Sequence, residues 1–511
     1  MKFYTRPPER LFVYVSGNSG EIEEVCSSLT FIDKKAVKQY RRSVEAGESM
    51  EPPQPVTFFD LQEQRLLYGH LPMLLKELDN RRIKYDIDDL ILKMQSSKND
   101  VSVDNLLTID YRDYQLGAIS SALNDKNGII KVATAGGKTI VAAGVIKSIN
   151  KPSLFLVTQI PLLHQAVSSF QRFGISNIGV IGDGKKNIGV HTVADARWLS
   201  RLVKTDKDIR KWITGVDVLI VDECHRAAAN SWLSVILSAS RSEYRIGLSG
   251  TPFESRVEGE SIRDIQITGL FGPIIYEIGA RDLMDQGHIA RPSIYMVPID
   301  KPKVNRGAVR SKWRGNQGKQ YNKIYEEGIV FHPTRNKTAS QIIFTLVKKH
   351  GLQTLVLVNQ IRHGQEIVEM LDAMGVKSVF VAGDKQVFIP NGKVFEDEIE
   401  NFKSKTVERF ANGEFEVMIG SPVFSEGYDL PGGMVEALVL MGGGKGLIPV
   451  LQRLGRALRP KPGLNEVVVI DFYDKQHFYL ENHSRKRENE YGAEGYEVQG
   501  WGEFVSRFVS G

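Results

Sequence analysis

Residues 129–146 read IIKVATAGGKTIVAAGVI, which predicts a strand, a glycine turn and an apolar helix. In this order the backbone N–H groups of the turn and helix N-terminus can hold phosphate. Lys138 can neutralise phosphate charge, and Thr139 can ligate Mg²⁺. The common phosphate-loop pattern has glycine where Val132 stands, so a plain glycine-rich turn is an alternative reading of this stretch taken alone.

A second motif, VDVLIVDECH (216–225), places two acidic residues after an apolar strand. Asp222 can hold Mg²⁺ through a water, and Glu223 can orient and deprotonate the water that attacks a γ-phosphate. Taken alone, the pair could also be a solvated loop start. Together with the loop at Lys138 it predicts a nucleoside triphosphate site. Cys224, inside the motif, is expected to serve packing.

A third motif, QRLGRALRP (452–460), spaces Gln452, Arg456 and Arg459 four and three residues apart. On a helix these side chains fall along one face. An exposed basic helix is the simpler alternative. Arginines that reach a nucleotide held by another lobe would stabilise charge in the transition state.

Composition indicates an ordinary globular protein. The 511 residues are 42% hydrophobic and 25% charged, with a formal net charge of +5, and this length predicts two to four domains. Cys26 and Cys224 have no Cys/His cluster around them, so neither a disulfide framework nor a structural metal is expected. No apolar run approaches the roughly 18 residues of a membrane span. We therefore expect a cytoplasmic protein.

The pattern of apolar and polar residues predicts five segments. RLFVYVSG (10–17) indicates a strand and HLPMLLKELDNRRI (70–83) a helix, within a small α+β region. Two series of short apolar runs alternating with helical stretches then indicate two parallel α/β sheets. The expected order is an accessory domain (1–105), a first α/β lobe (106–290), a basic connecting segment (291–334), a second lobe (335–475) and a helical tail (476–511).

With these motifs in order, the chain resembles the superfamily 2 helicases and translocases. The further motifs that carry this resemblance are YRDYQ (111–115), LVTQIPLLHQ (156–165), VHTVADARWL (190–199), LSGTP (248–252), VLVNQIRHGQEI (356–367) and FSEGYDLPG (424–432). The resemblance implies two tandem RecA-like lobes that use ATP and Mg²⁺. Loops of this family commonly begin with a small residue, which accounts for Val132, although Ala135 replaces a more usual glycine.

The resemblance also implies residue roles. Nucleotide binding is assigned to Arg112, Gln115, Thr134, Ala135, Gly136, Gly137, Lys138, Thr139, Gly427 and Asp429. Catalysis is assigned to Lys138, Asp222, Glu223, Gln452, Arg456 and Arg459, with Mg²⁺ on Thr139 and Asp222. Coupling of hydrolysis to movement is assigned to His225, Ser249 and Thr251. Nucleic-acid contact is assigned to Gln165, Thr192 and Asn359.

The segment 301–323 holds eight Lys or Arg and no acidic residue. It could be a solvated linker, or an element that grips DNA through Lys312, Trp313 and Arg314. The N-terminal region is equally compatible with a structural cap and with a DNA-reading module.

The DECH tetrapeptide and the stretch 270–295 resemble the UvsW, XPB and restriction-motor group, which implies an ATP-dependent helicase or translocase acting on branched or duplex DNA without sequence preference. Alternatives are a restriction motor that moves on duplex DNA without unwinding it, an RNA helicase, and a binding scaffold with an inactive nucleotide site.

Overall fold

Three sheets of five or eight strands organise the described part of the chain. The structure is a computed structural model that describes residues 1–45, 49–96, 111–254, 261–300, 317–382, 386–390, 402–421, 435–444, 466–493 and 495–510. The chain divides into two compact units. The first comprises Met1–Ala133 with Gly137–Ile278, and the second comprises Gly279–Gly511 with Thr134–Gly136.

The N-terminal domain is a small α+β sheet. In chain order its elements are β1 (Lys2–Tyr4), β2 (Phe12–Ser16), α1 (Ser19–Ser28), β3 (Thr30–Phe31), α2 (Lys34–Glu45), β4 (Val56–Thr57), β5 (Phe59–Asp60), β6 (Arg65–Leu67), a 3-10 turn (Tyr68–His70), α3 (Leu71–Asn80), β7 (Asp86–Ile87) and α4 (Asp89–Ser96). The sheet order is β5-β6-β2-β1-β7, and β3 and β4 form a separate ribbon. The apolar stripe Leu71, Leu74 and Leu78 of α3 is fully buried in this domain's core.

The first lobe is an eight-stranded sheet, parallel except for an edge hairpin. Its elements are α5 (Asp113–Asp125), β8 (Asn127–Val132), α6 (Lys138–Ile149), β9 (Ser153–Val157), α7 (Ile160–Arg172), β10 (Ile178–Gly182), β11 (Lys185–Asn187), β12 (His191–Asp195), α8 (Ala196–Thr205), α9 (Lys207–Thr214), β13 (Val218–Asp222), a 3-10 turn (Cys224–Arg226), α10 (Asn230–Ser238), β14 (Tyr244–Ser249), α11 (Ile262–Phe271) and β15 (Ile274–Ile278). The strand order is β11-β10-β12-β9-β13-β14-β8-β15. The residues of the central strands β9, β12, β13 and β14 are nearly all buried, as expected when helices cover both faces of a sheet.

The second lobe has the same architecture. Its elements are α12 (Ala280–Asp285), β16 (Arg291–Ile299), α13 (Gln317–Tyr325), a π-helical turn (Glu326–Val330), α14 (Pro333–Phe344), a second such turn (Thr345–Lys349), β17 (Thr354–Leu357), α15 (Ile361–Ala373), β18 (Ser378–Ala382), β19 (Gln386–Phe388), α16 (Phe402–Ala411), β20 (Val417–Gly420), β21 (Ala437–Leu440), β22 (Glu466–Asp474), α17 (Phe478–Ala493), β23 (Val498–Gln499), α18 (Trp501–Phe504) and a third π-helical turn (Val505–Val509). The strand order is β19-β18-β20-β17-β21-β22-β16-β23. The predicted pair of α/β sheets is confirmed.

Two segments differ from the expectation. Strand β16 lies inside the range expected to connect the lobes, yet it pairs along its whole length with β22 of the second sheet. The C-terminal segment, expected to be helical, also contributes β23, which pairs with β16. Both pairings join residues far apart in sequence, so no local pattern reveals them.

The N-terminal domain packs against the first lobe through close backbone contact. The His70 ring nitrogen Nε2 lies 2.8 Å from the carbonyl oxygen of Ile265 on α11. A Cβ atom at Gly69 would lie only 2.1 Å from the carbonyl oxygen of Thr268. The buried guanidinium of Arg245 donates to the carbonyl of Arg10 at 2.7 Å. These contacts support the structural-cap alternative for the N-terminal domain.

Candidate nucleotide-binding site

The candidate site lies at the carboxyl edge of the first-lobe sheet. Strands β13, β14 and β8 are neighbours, so their carboxyl ends bring together Asp222, Ser249 and the loop that follows Val132. Ligands of parallel α/β sheets bind at this edge. The sheet topology therefore joins three motifs that are distant in the sequence.

The loop between β8 and α6 has the shape of a phosphate cradle. Gly137 is the N-cap of α6 with φ +78°, in the left-handed region that favours glycine. A Cβ atom here would lie 2.7 Å from Nε2 of Gln115, so that side chain closes against the loop. Ala135 also has positive φ, at 69°, and so adopts a backbone that glycine would adopt more easily. The backbone donors of this helix N-terminus and Lys138 fit a phosphate group.

Gln115 is oriented by its own helix start. It is 2% exposed, and its Oε1 accepts a hydrogen bond from the Arg112 backbone N–H at 3.1 Å. The Arg112 guanidinium donates to the hydroxyl of Tyr114 at 3.2 Å. Both residues expected near the nucleotide base are therefore held at the beginning of α5, next to the phosphate loop.

Glu223 is the centre of the site's polar network. The Lys138 Nζ atom lies 3.9 Å from Glu223 Oε1, with both side chains mostly buried. On the other oxygen, Oε2, the Ser249 hydroxyl donates at 3.3 Å, and Nδ1 of His225 also lies at 3.3 Å. Ser249 Oγ in turn accepts the Thr251 backbone N–H at 3.1 Å. One carboxylate thus touches the phosphate loop on one side and the coupling residues on the other.

The two carboxyl groups differ in pKa. Burial raises the pKa of Asp222 above its ordinary value, and the adjacent Glu223 charge raises it further. Burial also opposes ionisation of Glu223, but Lys138, His225 and Ser249 outweigh it and lower the Glu223 pKa. The site therefore keeps Glu223 ionised. A divalent cation would offset the cost of ionising Asp222, so the donor set fits Mg²⁺.

The sequence reasoning missed Arg263 on α11. Its NH2 atom donates to the His225 carbonyl at 2.7 Å, and its NH1 atom pairs with Glu254 at 2.5 Å. It therefore fixes the backbone of the 224–226 turn behind Glu223. No spacing or motif in SIRDIQ (261–266) indicates this role, because the contact depends on how α11 packs.

The chain is similar in sequence to several known proteins. A family model described as "Type III restriction enzyme, res subunit" matches residues 108–254. The chain is 26% identical over 381 residues to the DNA 3'-5' translocase XPB2 of Sulfurisphaera tokodaii, covering 72% of this chain and 82% of that protein. It is 24% identical over 378 residues to the ATP-dependent DNA helicase uvsW of Enterobacteria phage T4, covering 71% and 68%.

The chain is a homologue of superfamily 2 helicases. Its fold is similar to a fragment assigned as the HsdR subunit of a type I restriction enzyme from Vibrio vulnificus YJ016. That match has a TM-score of 0.53 at 17% identity and covers 91% of this chain and 82% of the fragment. The expected architecture of two RecA-like lobes is confirmed.

Several expected residues of this helicase homologue lie outside the described residues, and their roles stay predictions. They are Lys312, Trp313, Arg314, Gly427, Asp429, Gln452, Arg456 and Arg459. The described candidates that the structure brings together are Arg112, Gln115, Gly137, Lys138, Asp222, Glu223, His225, Ser249 and Thr251. Thr134, Ala135, Gly136 and Thr139 lie in or beside the loop that carries Lys138.

Of the residues expected to contact nucleic acid, Thr192 is wrongly assigned. It is 1% exposed, and its hydroxyl bonds the backbone of Gly189. It occupies the amino half of β12, away from the carboxyl edge. Arg197 follows the carboxyl end of the same strand, and its basic side chain is 64% exposed.

Two other candidates have different surroundings. Gln165 lies on α7 and is half-buried. In the second lobe, Asn359 follows β17, and its Nδ2 atom donates to the Gly442 carbonyl at 2.8 Å. That amide donor therefore holds a neighbouring loop of the same lobe.

No helix in the described ranges has both the length and the apolar character that crossing a bilayer requires. Within the same ranges, no group of three or more His, Cys, Asp or Glu residues is arranged to hold a metal ion.

Proposed function

We propose that the chain is an ATP-dependent DNA helicase or translocase that unwinds or remodels branched DNA in recombination, replication or repair. The observation that carries this proposal is the position of Glu223, in contact with Lys138 of the phosphate loop and with Ser249 and His225. The names of the relatives, a DNA translocase and a DNA helicase, support DNA as the substrate. We place this activity in the cytoplasm of a bacterium or of a phage-infected host.

Lys138 and the backbone N–H groups at the start of α6 bind the phosphates of ATP, and Gln115 with Arg112 contacts the base. Thr139, and Asp222 through a water, would hold Mg²⁺, which would neutralise charge on the phosphates. Glu223 orients the attacking water and accepts its proton. Its low pKa keeps it ionised before the reaction.

Ser249 and His225 link the protonation and position of Glu223 to the loop at residues 249–252. When Glu223 Oε2 gains a proton or shifts, the Ser249 hydroxyl loses its acceptor. Because Ser249 Oγ also accepts the Thr251 backbone N–H, the change reaches residues 249–252. This chain of contacts couples hydrolysis to movement of the protein along DNA.

Unwinding assays on forks, Holliday junctions and plain tailed duplexes test the proposed substrate, with Glu223→Gln as the inactive control. We expect ATP-dependent remodelling of the branched substrates. Strong activity on tailed RNA duplexes with none on branched DNA would contradict the proposal.

A second function is favoured by the family match and by the similarity to the restriction-enzyme fragment, namely movement along duplex DNA without strand separation. Displacement of a triplex-forming strand from an unbranched duplex, with no unwinding of forks, would select this alternative.

A further inference from the structure

The first turn of α17 in the second lobe presents aromatic rings to solvent. Among the described residues Phe478 has the most exposed large apolar side chain, at 68%, and Tyr479 is 46% exposed. The rings of His477 and Tyr479 are stacked, with centroids 5.5 Å apart and planes 11° apart. The Phe478 ring meets Tyr479 edge-on at 5.9 Å. The exposed rings are thus arranged before any partner binds.

The buried side of this turn is anchored in the second lobe. Leu480 is 1% exposed and packs with Tyr325, Ile329 and Val330. The Gln476 amide donates to the carbonyl of Gly328 at 2.6 Å. Because Leu480 and Gln476 hold the backbone on both sides of the two rings, little main chain has to be ordered when a partner binds.

Two exposed basic residues, Arg485 and Lys486, follow the aromatic rings along α17. Phe478, Asn482 and Arg485 follow the i, i+4, i+7 spacing of one helix face, and Lys486 repeats the seven-residue spacing from Tyr479. Arg485 and Lys486 are exposed, and Arg485 donates to Asn482 Oδ1 at 2.6 Å. The acidic side chains of the same helix, Glu481, Glu488 and Glu490, are only partly exposed. The charged groups lie about 10 Å along the helix from the rings, at 1.5 Å per residue.

The aromatic turn lies at the carboxyl edge of the second-lobe sheet. Helix α17 begins just after β22 ends at Asp474. The neighbouring strand β21 ends on the same edge and leads to Gly444, whose carbonyl accepts a hydrogen bond from Arg487 of α17 at 2.7 Å. The Asn359 loop, after β17, lies on this edge as well. In parallel sheets the carboxyl edge is the one that binds ligands.

We propose that Phe478 and Tyr479 form a stacking platform for an unpaired base of single-stranded or branched DNA, while Arg485 and Lys486 contact the flanking phosphates. This inference rests on the proposed function. Bases of any sequence stack on aromatic rings, so the platform suits a motor that binds without sequence preference. The exposed Arg485 and Lys486 can pair with phosphates of the strand, so DNA is the occupant that this surface fits.

The platform is tested with a short single-stranded oligodeoxynucleotide carrying 2-aminopurine, without ATP. We expect Phe478→Ala to weaken binding about 5- to 100-fold and to remove the quenching of 2-aminopurine. Phe478→Trp should restore both. The double variant Arg485→Ala/Lys486→Ala should lower the salt dependence of binding but retain the quenching. Unchanged melting temperatures would establish that each variant is folded.

Two matched controls lie elsewhere on the second lobe. Val509 is 45% exposed, and Lys349 is exposed before β17, at the amino edge of the sheet. Alanine at either position should leave DNA affinity unchanged. The inference is overturned if Phe478→Ala binds the oligonucleotide as tightly as wild type, and equally if it only abolishes self-association of the chain. The proposed function has a separate test, because oligonucleotide binding is measured without ATP. If DNA does not stimulate ATP hydrolysis by the wild-type protein, the proposed function is refuted.

Discussion

The Nζ atom of Lys138 lies 3.9 Å from Oε1 of Glu223. Lys138 begins the helix behind the phosphate loop, whereas Glu223 follows a strand two places away in the sheet. The same carboxylate accepts the Ser249 hydroxyl on its other oxygen. Substitutions at these positions therefore separate phosphate binding, hydrolysis and coupling.

Replacement of Glu223 by glutamine should remove the general base and retain the shape of the site. We expect ATP hydrolysis to fall by about 10²- to 10⁴-fold. ATP should still raise the melting temperature, because Lys138 and the loop are intact. Glu277→Gln serves as the control, since that side chain is 53% exposed and pairs only at the surface with Lys131. Turnover within a few-fold of wild type would show that Glu223 is not the base.

Ser249→Ala should uncouple hydrolysis from movement. The substitution removes the hydroxyl that joins Glu223 Oε2 to the Thr251 backbone N–H. We expect strand separation to fall further than ATP hydrolysis, so fewer base pairs are opened per ATP consumed. Parallel measurement of phosphate release and strand displacement gives this ratio. An unchanged ratio would contradict the coupling role.

Arg197→Ala should weaken DNA binding in a salt-dependent way. Its exposed guanidinium follows the carboxyl end of β12, and one lost phosphate contact should reduce the salt slope of binding by about one. Arg241→Ala is the matched control, because Arg241 is exposed just before the amino end of β14. Equal salt slopes for wild type and Arg197→Ala would count against this contact.

Gly69→Ala should destabilise the first unit, since a Cβ atom there would lie 2.1 Å from the Thr268 carbonyl oxygen. Forcing backbone apart in a packed interface costs about 1–3 kcal/mol. The midpoint of thermal unfolding should fall. Gly20→Ala, whose nearest contact would be Asn18 Oδ1 at 3.5 Å, should be neutral or stabilising. Equal midpoints for the two variants would show that the N-terminal domain is not seated as described.

His70 should make the stability of the contact between the N-terminal domain and the first lobe depend on pH. Burial lowers its pKa from 6.5 to about 4, although the Ile265 carbonyl favours the protonated ring. Between about pH 4 and pH 6.5, His70 is therefore protonated in the unfolded chain but neutral in the folded chain. Stability should be full above pH 6.5 and should fall by about 2–3 kcal/mol on acidification to pH 4.

The control for this pH effect is His70→Gln, which retains a donor for the Ile265 carbonyl and does not titrate. Urea unfolding at several pH values would measure both proteins. The free-energy difference between them should shrink as the pH falls through this window, and a constant difference would contradict the assignment.

Local sequence signals located much of the site. The strand ending at Val132 and the helix beginning at Lys138 follow from adjacent apolar runs around a glycine turn. Asp222 and Glu223 follow from the apolar strand before them. Their common position at one sheet edge follows from the parallel topology that the alternating pattern predicts.

Other features depended on tertiary structure. Glu223 has φ +50°, which no residue pattern indicates for a non-glycine residue. Thr192 was wrongly assigned to nucleic-acid contact because the assignment followed its place in the motif. Its burial depends on where β12 begins, which the motif does not indicate. Strand β16 was assigned to a connecting segment because its partner β22 is more than 150 residues away in the sequence. The contact of Arg263 depends on the packing of α11, and the exposure of Phe478 depends on the fold of the second lobe. Neither could be predicted from the sequence.

The most direct test of an ATP-driven DNA motor is steady-state ATP turnover by the full chain, with and without forked DNA. We predict turnover that DNA stimulates, that falls as salt is raised and that Glu223→Gln lowers by about 10²- to 10⁴-fold. Turnover that is the same with and without DNA, or that stays within a few-fold of wild type in Glu223→Gln, would contradict this activity.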